Sequence, residues 1–93
     1  MEFKYEKNRI YSTNDSGVLL AEITYPDTKE GFVDINRTFV DPSLRGQGIA
    51  GKLMKMACEE IKKQGKKAVL SCPYAIKWIA ENKEYQCILS VSS

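Results

Sequence analysis

A glycine-rich segment, VDPSLRGQGIAGKLM (residues 40–54), holds the residues of this 93-residue chain that are best suited to binding chemistry. Gly46, Gly48 and Gly51 are spaced as G-x-G-x-x-G, and the same segment reads G-x-x-x-x-G-K up to Lys52. Both patterns are typical of loops whose main-chain N–H groups bind phosphate, because glycine lets phosphate oxygens approach the backbone. The segment therefore predicts a site for a phosphorylated ligand.

Neither nucleotide-binding pattern is complete. A P-loop needs Ser or Thr after its lysine to bind Mg²⁺, whereas Lys52 is followed by Leu53. A dinucleotide-binding loop needs an acidic residue about 20 positions later to bind a ribose, and Ser71 stands there. A plain glycine-rich turn before a helix remains the alternative. In that alternative, nothing would offset the loss of helix stability caused by glycine in a helical turn, which is about 1 kcal/mol relative to alanine.

The composition limits the chemistry that the chain can perform. Histidine is absent, which excludes Ser–His and Cys–His nucleophile pairs and most zinc sites, and no metal site is predicted. The net charge of +2 is too small to predict nucleic-acid binding. The lysine cluster around Gly65 is typical of a helix C-terminus, where cations interact favourably with the helix dipole. Catalysis would therefore use carboxylates, thiols, phenols, lysines, backbone groups or water.

The cysteines and the hydropathy pattern predict a cytoplasmic protein without a membrane segment. Cys58, Cys72 and Cys87 form an odd set with no C-x-x-C spacing, and the first residues contain no apolar run typical of a signal peptide. No stretch approaches the roughly 18 apolar residues of a membrane span. Cys58 and Cys87 are expected to serve in packing.

Residue periodicity predicts a single domain over residues 1–93 with an α/β (α+β) fold, namely a mixed, mostly antiparallel sheet with two main helices. The predicted order is βββ-α-β-α-β. Strands are expected at 3–12, 18–25, 32–40, 66–72 and 86–93, turns at 14–17 and 26–31, and helices at 49–64 and 73–85, with Gly65 ending the first helix. In the second helix, Ala75, Ile76, Trp78 and Ile79 are expected to share one apolar side.

The glycine-rich segment also fits a third motif. Residues 45–50, RGQGIA, match [R/Q]-x-x-G-x-[G/A] between a β-meander and an amphipathic helix. Here the chain resembles the GCN5-related N-acetyltransferases, and the resemblance extends over residues 31–85. The Cys72-Pro73-Tyr74 block looks like that of a small single-domain subgroup of this superfamily.

The resemblance implies acetyl-CoA-dependent transfer of an acetyl group to an amine of a small molecule or a protein lysine. The glycine loop would bind the coenzyme A pyrophosphate, and main-chain N–H groups of the third strand would hold the pantetheine arm and polarise the thioester carbonyl. The implied cofactor-binding residues are Phe39, Val40, Arg45, Gly46, Gln47, Gly48, Ile49, Ala50 and Gly51.

Asp34, Cys72 and one of two tyrosines are candidates for proton transfer or nucleophilic attack. Asp34 is the carboxylate on the third predicted strand, so it is the candidate base, although a merely solvated carboxylate is equally compatible with the pattern. The tyrosine that many relatives use as general acid is replaced here by Ile79, so Tyr74 or Tyr85 would have to substitute. Cys72, before a helix N-terminus that favours a thiolate, could take the acetyl group transiently or donate a proton. Its alternative role is that of a buried thiol at a strand end.

The acceptor side differs from that of larger relatives, which place two helices between their first two strands to cover the acceptor. This chain has only the turn NDSG (residues 14–17) there. The acceptor cleft is therefore expected to be open or to be completed by a partner. The alternative function is a coenzyme A-binding module with little catalysis, and the expected assembly is a monomer or a weak homodimer.

Overall fold

The computed structural model describes residues 2–90, which form strands, two α-helices and two short 3₁₀ helices. The strands are β1 (Lys4–Glu6), β2 (Arg9–Thr13), β3 (Leu19–Thr24), β4 (Asp27–Lys29), β5 (Phe32–Ile35), β6 (Arg37–Val40) and β7 (Lys67–Leu70). The α-helices are α1 (Ile49–Lys63) and α2 (Pro73–Glu81), and the 3₁₀ helices span Pro42–Leu44 and Lys83–Ile88. The predicted fold class is confirmed, but six strands rather than three precede α1.

The first predicted strand, residues 3–12, is wrong as a single element, because it folds into the β1–β2 hairpin. Asn8 lies in the turn with a φ of 61°, and its side-chain Nδ2 donates a hydrogen bond to the carbonyl of Tyr25 at 2.8 Å. Asparagine tolerates this left-handed conformation better than most residues do. The turn falls in the polar run EKNR (residues 6–9), which interrupts the alternation of Phe3 and Tyr5 with charged residues.

The third predicted strand, residues 32–40, is divided at Asn36 into β5 and β6. Thr24 of β3 pairs with Arg37, yet its carbonyl also accepts the N–H of Asn36 at 3.3 Å, so one extra residue is inserted into the ladder. Such a bulge bends a strand and increases its twist. The predicted turn at 26–31 is also wrong in part, since β4 continues the hairpin and pairs with β5.

The bend at Asn36 splits the sheet. β6 completes a four-stranded antiparallel sheet, β1-β2-β3-β6, whereas β5 joins β4 and β7, with β7 parallel to β5. The parallel ladder ends at Ile35, whose carbonyl accepts the N–H groups of Ser71 and Cys72, both at 3.1 Å. Beyond that point β6 stays with β3 while the chain enters α2. A gap therefore opens between β6 and the N-terminus of α2.

One hydrophobic cluster joins the strands to both helices. It contains Ile10, Ala21, Ile23, Val33 and Ile35 from the sheets, Leu53, Met54, Ala57, Cys58 and Ile61 from α1, and Ala75 and Ile79 from α2. Because side chains alternate along a strand, the residues between these strand positions lie on the opposite face. The helices thus cover one face of the sheet and leave the other, here called the open face, without a helix among residues 2–90.

The C-terminal part of the chain differs from expectation in four details. The second helix ends at Glu81 rather than continuing to 85, and Ile76 is 52% exposed instead of sharing the apolar side. The predicted last strand is a 3₁₀ helix followed by a single bridge between Leu89 and Ala68, and residues 91–93 lie outside the described part. Cys87 is exposed and does not serve in packing, whereas Cys58 is fully buried, and burial raises the pKa of its thiol to about 12.

No helix in residues 2–90 combines the length and the apolar character that crossing a bilayer would require. Within the same range, no group of three or more Cys, Asp or Glu side chains is arranged to bind a metal ion.

Candidate functional site

A cleft of about 230 Å³ lies where β6 ends and α1 begins. It is lined by Val40, Leu44, Arg45, Gly46, Gly48, Ile49, Ala50, Gly51 and Tyr74. A second cleft, of about 270 Å³, is lined by Thr38, Phe39, Val40, Arg45, Ala50 and Tyr74. Because four lining residues are common to both, the two clefts are parts of one groove that follows β6. Of the predicted cofactor-binding residues, only Gln47 lines neither part.

The main-chain N–H groups from Gly46 to Gly51 donate no hydrogen bond to an acceptor in residues 2–90. The first hydrogen bond of α1 runs from the Lys52 N–H to the Gly48 carbonyl at 3.1 Å, and the six preceding N–H groups have no acceptor in residues 2–90. Gly48 is the N-cap residue and offers no side chain, and the first turn contains no acidic residue. An uncapped helix start of this kind is suited to an anion, because free N–H groups and the helix dipole both favour negative charge. The loop therefore fits a pyrophosphate.

Glycine is required in the loop for two different structural reasons. Gly46 and Gly48 have φ values of 85° and 74°, and a Cβ at either position would meet no atom within 4 Å. Their requirement within the protein is therefore conformational rather than steric. Gly51 lies inside α1, where a Cβ would approach Trp78 Nε1 to 3.2 Å and the Tyr74 hydroxyl to 3.6 Å. Gly51 thus lets α1 and α2 pack closely, and the helix-propensity cost falls on this glycine alone, since Gly48 lies outside the helical turns.

The segment before the loop is held by Asp41 and Arg45. Asp41 caps the 3₁₀ helix: its Oδ2 accepts the N–H of Ser43 at 3.0 Å and also the Ser43 hydroxyl. These bonds hold the pKa of the Asp41 carboxyl below its usual value. The Arg45 Nε donates to the Val40 carbonyl at 3.4 Å. The loop is therefore anchored to the end of β6 before any ligand binds.

One edge of β6 faces the groove without a neighbouring strand. The Asp41 N–H donates to the Leu20 carbonyl at 2.7 Å. With the register of the β3–β6 ladder, this bond determines which residues of β6 turn their N–H groups toward β3. In an antiparallel ladder, alternate residues turn their N–H groups to opposite sides. The N–H groups of Thr38 and Val40 therefore point into the groove, whereas that of Phe39 points to β3. The Phe39 ring lies on the open face, 5.5 Å from the Arg37 guanidinium carbon.

Cys72 and Tyr74 lie at the N-terminus of α2, on the far side of the gap from β6. Cys72 is 7% exposed, and its Sγ donates a hydrogen bond to Thr38 Oγ1 at 3.7 Å, across the gap. Tyr74 is 39% exposed and borders both parts of the groove. Partial burial, followed by the carboxylate of Glu81, raises the pKa of Tyr74, so its phenol keeps its proton at neutral pH.

Tyr85, the other tyrosine considered as a general acid, is excluded by its position. It is 4% exposed, and its hydroxyl donates to Glu59 Oε2 at 2.9 Å, behind α1. Burial and this carboxylate raise the pKa of Tyr85 to about 12. Ile79, at the position where many relatives have tyrosine, is a core residue. Tyr74 is therefore the remaining phenol beside the groove.

Asp34 lies on the open face, opposite the side on which Val33 and Ile35 enter the core. Its Oδ2 accepts the hydroxyl of Ser71 at 2.8 Å, while its Oδ1 is buried and has no hydrogen-bond partner in residues 2–90. No ion pair joins Asp34 to a lysine or arginine in that part of the chain. Ser71 was missed as a functional residue, because its proximity to Asp34 depends on the parallel pairing of β5 with β7.

The open face also carries a buried carboxylate that sequence reasoning missed. Glu22 is 8% exposed, although it lies on the face without helices. It accepts a hydrogen bond from Arg9 Nε, and Arg37 Nε lies 3.6 Å from its other oxygen. The two guanidiniums compensate the charge that burial would otherwise penalise. The open face is therefore polar: Glu22 is paired there with Arg9 and Arg37, whereas Asp34 has no ion pair in residues 2–90.

The fold and the groove define an α+β protein with an anion-binding loop at the first turn of α1, beside a split sheet. The profile of the family described as GCN5-related N-acetyl-transferase matches residues 9–88. The chain belongs to this family.

Known relatives agree with this assignment. A GCN5-like protein of Staphylococcus aureus, solved by NMR, superposes with a TM-score of 0.81 and 30% identity over 99% of this chain and 90% of that one. Tetrahymena GCN5 shares the fold, with a TM-score of 0.62 and 11% identity over 95% of this chain and 64% of that one. The protein NATD1 of Xenopus tropicalis is 36% identical over 74 residues, which cover 80% of this chain and 64% of NATD1. The chain thus spans less than two thirds of the length of this relative.

Proposed function

We propose that the protein is an acetyl-CoA-dependent N-acetyltransferase that acetylates an amine of a small molecule or a protein lysine. The observation that carries the proposal is the row of six N–H groups from Gly46 to Gly51 that have no acceptor in residues 2–90, at the end of a groove bordered by the free edge of β6. Membership of the GCN5-related N-acetyltransferases supports the reaction class.

In the proposed complex, each part of acetyl-CoA has a counterpart in the groove. The pyrophosphate binds the N–H groups of Gly46–Gly51, and Gly46 and Gly48 supply the left-handed backbone that directs them. The pantetheine arm follows the outer edge of β6, where the N–H of Val40 polarises the thioester carbonyl. Arg45, held against the Val40 carbonyl, flanks the anion. Phe39 supports the strand from the open face rather than binding the arm through its own N–H.

The proposed proton transfers use both faces of the split sheet. An alkyl ammonium has a pKa near 10, so the acceptor must lose a proton before its nitrogen can attack. Asp34, on the open face, takes that proton. As the amine nitrogen bonds to the carbonyl carbon, the carbon–sulfur bond breaks, and the coenzyme A thiolate takes a proton from Tyr74 or Cys72 on the helix-covered face. The nitrogen, which still carries one proton more than the amide product, releases it, and this proton restores the donor. The gap between β6 and α2 gives the acceptor a route from one face to the other.

Variants of Cys72 and Tyr74 identify the proton donor. Because Tyr74 borders the groove and retains its proton at neutral pH, Tyr74→Phe is expected to lower kcat about 10- to 100-fold with little change in acetyl-CoA affinity. Cys72→Ser keeps a proton donor near Thr38 and is expected to retain most activity. Cys72→Ala removes that donor, so its activity falls only if the thiol participates in the reaction. Steady-state kinetics and intact mass of the acetyl-CoA-treated protein distinguish these cases. An acetylated wild-type Cys72 that turns over would instead assign the thiol as a nucleophile.

The proposed function is tested by an amide chemical-shift titration with acetyl-CoA, followed by assays against a panel of small amines and lysine peptides. The first signals expected to shift are those of Val40 and residues 45–51, and acetyl transfer is expected to saturate with at least one amine. Unchanged signals there would refute the binding site. Binding accompanied by slow thiol release that no amine accelerates would instead favour a coenzyme A-binding module.

A further inference from the structure

The side chains of Ser71 and Asp34 are joined at the end of the β5–β7 ladder, immediately before the sheet splits. The Ser71 N–H is fixed by the Ile35 carbonyl at 3.1 Å, and its hydroxyl donates to Asp34 Oδ2 at 2.8 Å. Ser71 is thus attached to β5 through both its backbone and its side chain. A carboxylate held by a charge-assisted hydrogen bond from an anchored donor keeps a defined orientation.

The two oxygens of Asp34 have different environments. Oδ2 is occupied by Ser71, whereas Oδ1 is buried without a donor in the described part of the chain. A buried polar atom without a partner is costly, so native structures that keep one usually supply a ligand, a water or a functional reason. Because no lysine or arginine in residues 2–90 pairs with Asp34, this carboxylate is not part of a structural ion pair.

We propose that Ser71 is the positioning residue for the base: its hydroxyl binds Asp34 Oδ2 and holds the carboxylate in the orientation in which it takes the proton of the acceptor ammonium. This inference rests on the proposed N-acetyltransferase function. Before attack, one N–H bond of the ammonium breaks, its electron pair stays on nitrogen, and an O–H bond forms on the Asp34 carboxylate. The neutral acid then releases this proton to solvent after the amide product leaves.

Ser71 also connects the two faces of the site. Its neighbour Cys72 donates its N–H to the same Ile35 carbonyl, and Cys72 contacts Thr38 on the helix-covered face. The carbonyl of Ile35 therefore fixes, through two adjacent residues, the base on one face and the thiol on the other. The Ile35 carbonyl holds the backbone of Ser71 close to β5. The short serine side chain can therefore reach Asp34 and orient it.

The experiment compares Ser71→Ala, Ser71→Thr and the wild-type protein, with Ser16→Ala in the exposed 14–17 turn as a matched control. Ser71→Ala is expected to lower kcat about 10-fold at unchanged KM for acetyl-CoA and to move the acidic limb of the pH profile of kcat/KM for the amine. Ser71→Thr restores the hydroxyl and is expected to recover most of the rate. Thermal unfolding checks that each variant is folded.

A second measurement is independent of turnover. In the protein without substrates, the side-chain carboxyl carbon signal of Asp34 is expected to shift in Ser71→Ala, to remain near its wild-type position in Ser71→Thr, and to be unchanged in Ser16→Ala. An unmoved Asp34 signal, or an unchanged kcat and pH profile in Ser71→Ala, overturns the role of Ser71 while leaving the proposed function intact. A wild-type protein that binds acetyl-CoA but acetylates no amine overturns the proposed function, and the positioning role with it.

Discussion

Gly48→Glu is expected to weaken acetyl-CoA binding at least about 100-fold, equivalent to about 2.7 kcal/mol of binding free energy. Gly48 is the N-cap of α1, where the free N–H groups converge. A glutamate there would place a carboxylate beside the same N–H groups and would repel the incoming pyrophosphate. Isothermal titration calorimetry with acetyl-CoA and with coenzyme A measures the loss.

Backbone strain must be separated from this electrostatic competition. Gly48 has a φ of 74°, so any side chain there costs about 1–2 kcal/mol of folding stability. Gly48→Ala carries that strain without the charge, and it is expected to keep most of the affinity because a Cβ at this position meets no protein atom within 4 Å. Gly17→Glu is the control for Gly48→Glu. Gly17 lies in a surface turn away from the groove and has a φ of 83°, so the same substitution there causes the same kind of backbone strain. Full affinity in Gly48→Glu would refute the loop as the pyrophosphate site.

Asp34→Asn is expected to lower kcat about 10²- to 10⁴-fold, the range usually contributed by a general base, while the Kd for acetyl-CoA stays the same. The amide is nearly isosteric and can still accept the Ser71 hydroxyl through its oxygen, so the β5–β7 pairing should remain. The loss would therefore report the missing proton acceptor rather than a disturbed fold. Initial rates at saturating acetyl-CoA, measured with the best amine of the panel, determine its size.

The pH dependence distinguishes a base from a structural carboxylate. As the pH rises toward the pKa of the amine, more of the acceptor is already deprotonated, so the defect of Asp34→Asn should shrink with increasing pH. Asp27→Asn is the control: Asp27 lies on the adjacent strand β4, and its exposed ion pair with Lys66 contributes little to stability. A pH-independent defect, or equal defects in the two variants, would contradict the role of Asp34 as the base.

Local sequence signals predicted the helix and the glycine loop that border the groove. The apolar spacing predicted a helix over 49–64, and α1 spans Ile49–Lys63, with Gly65 adopting the left-handed conformation just beyond its end. The placement of the glycine loop before this helix was also predictable, because helix starts depend on residues that are neighbours in the chain.

The positions of the residues proposed for proton transfer depended on pairings between distant segments. Asn36 carries no signal of a bulge, yet the extra residue there separates β5 from β6 and opens the groove. Ser71 reaches Asp34 only because Phe32 pairs with Lys67 and Ile35 with Leu70, a register fixed by tertiary packing. Asn8 likewise turns the chain, and the pairing of β1 with β2 that this turn permits involves residues on either side of a polar run.

The sequence by itself determined the family resemblance, the uncapped glycine loop and the helix that begins at it, since these depend on short-range spacing and backbone freedom. Only the tertiary structure decided where the sheet splits, which edge of β6 is free, and that Asp34 and Cys72 lie on opposite faces beside one shared carbonyl. The physical reason is that strand register and bulges are set by contacts between residues far apart in the chain, which no local pattern encodes.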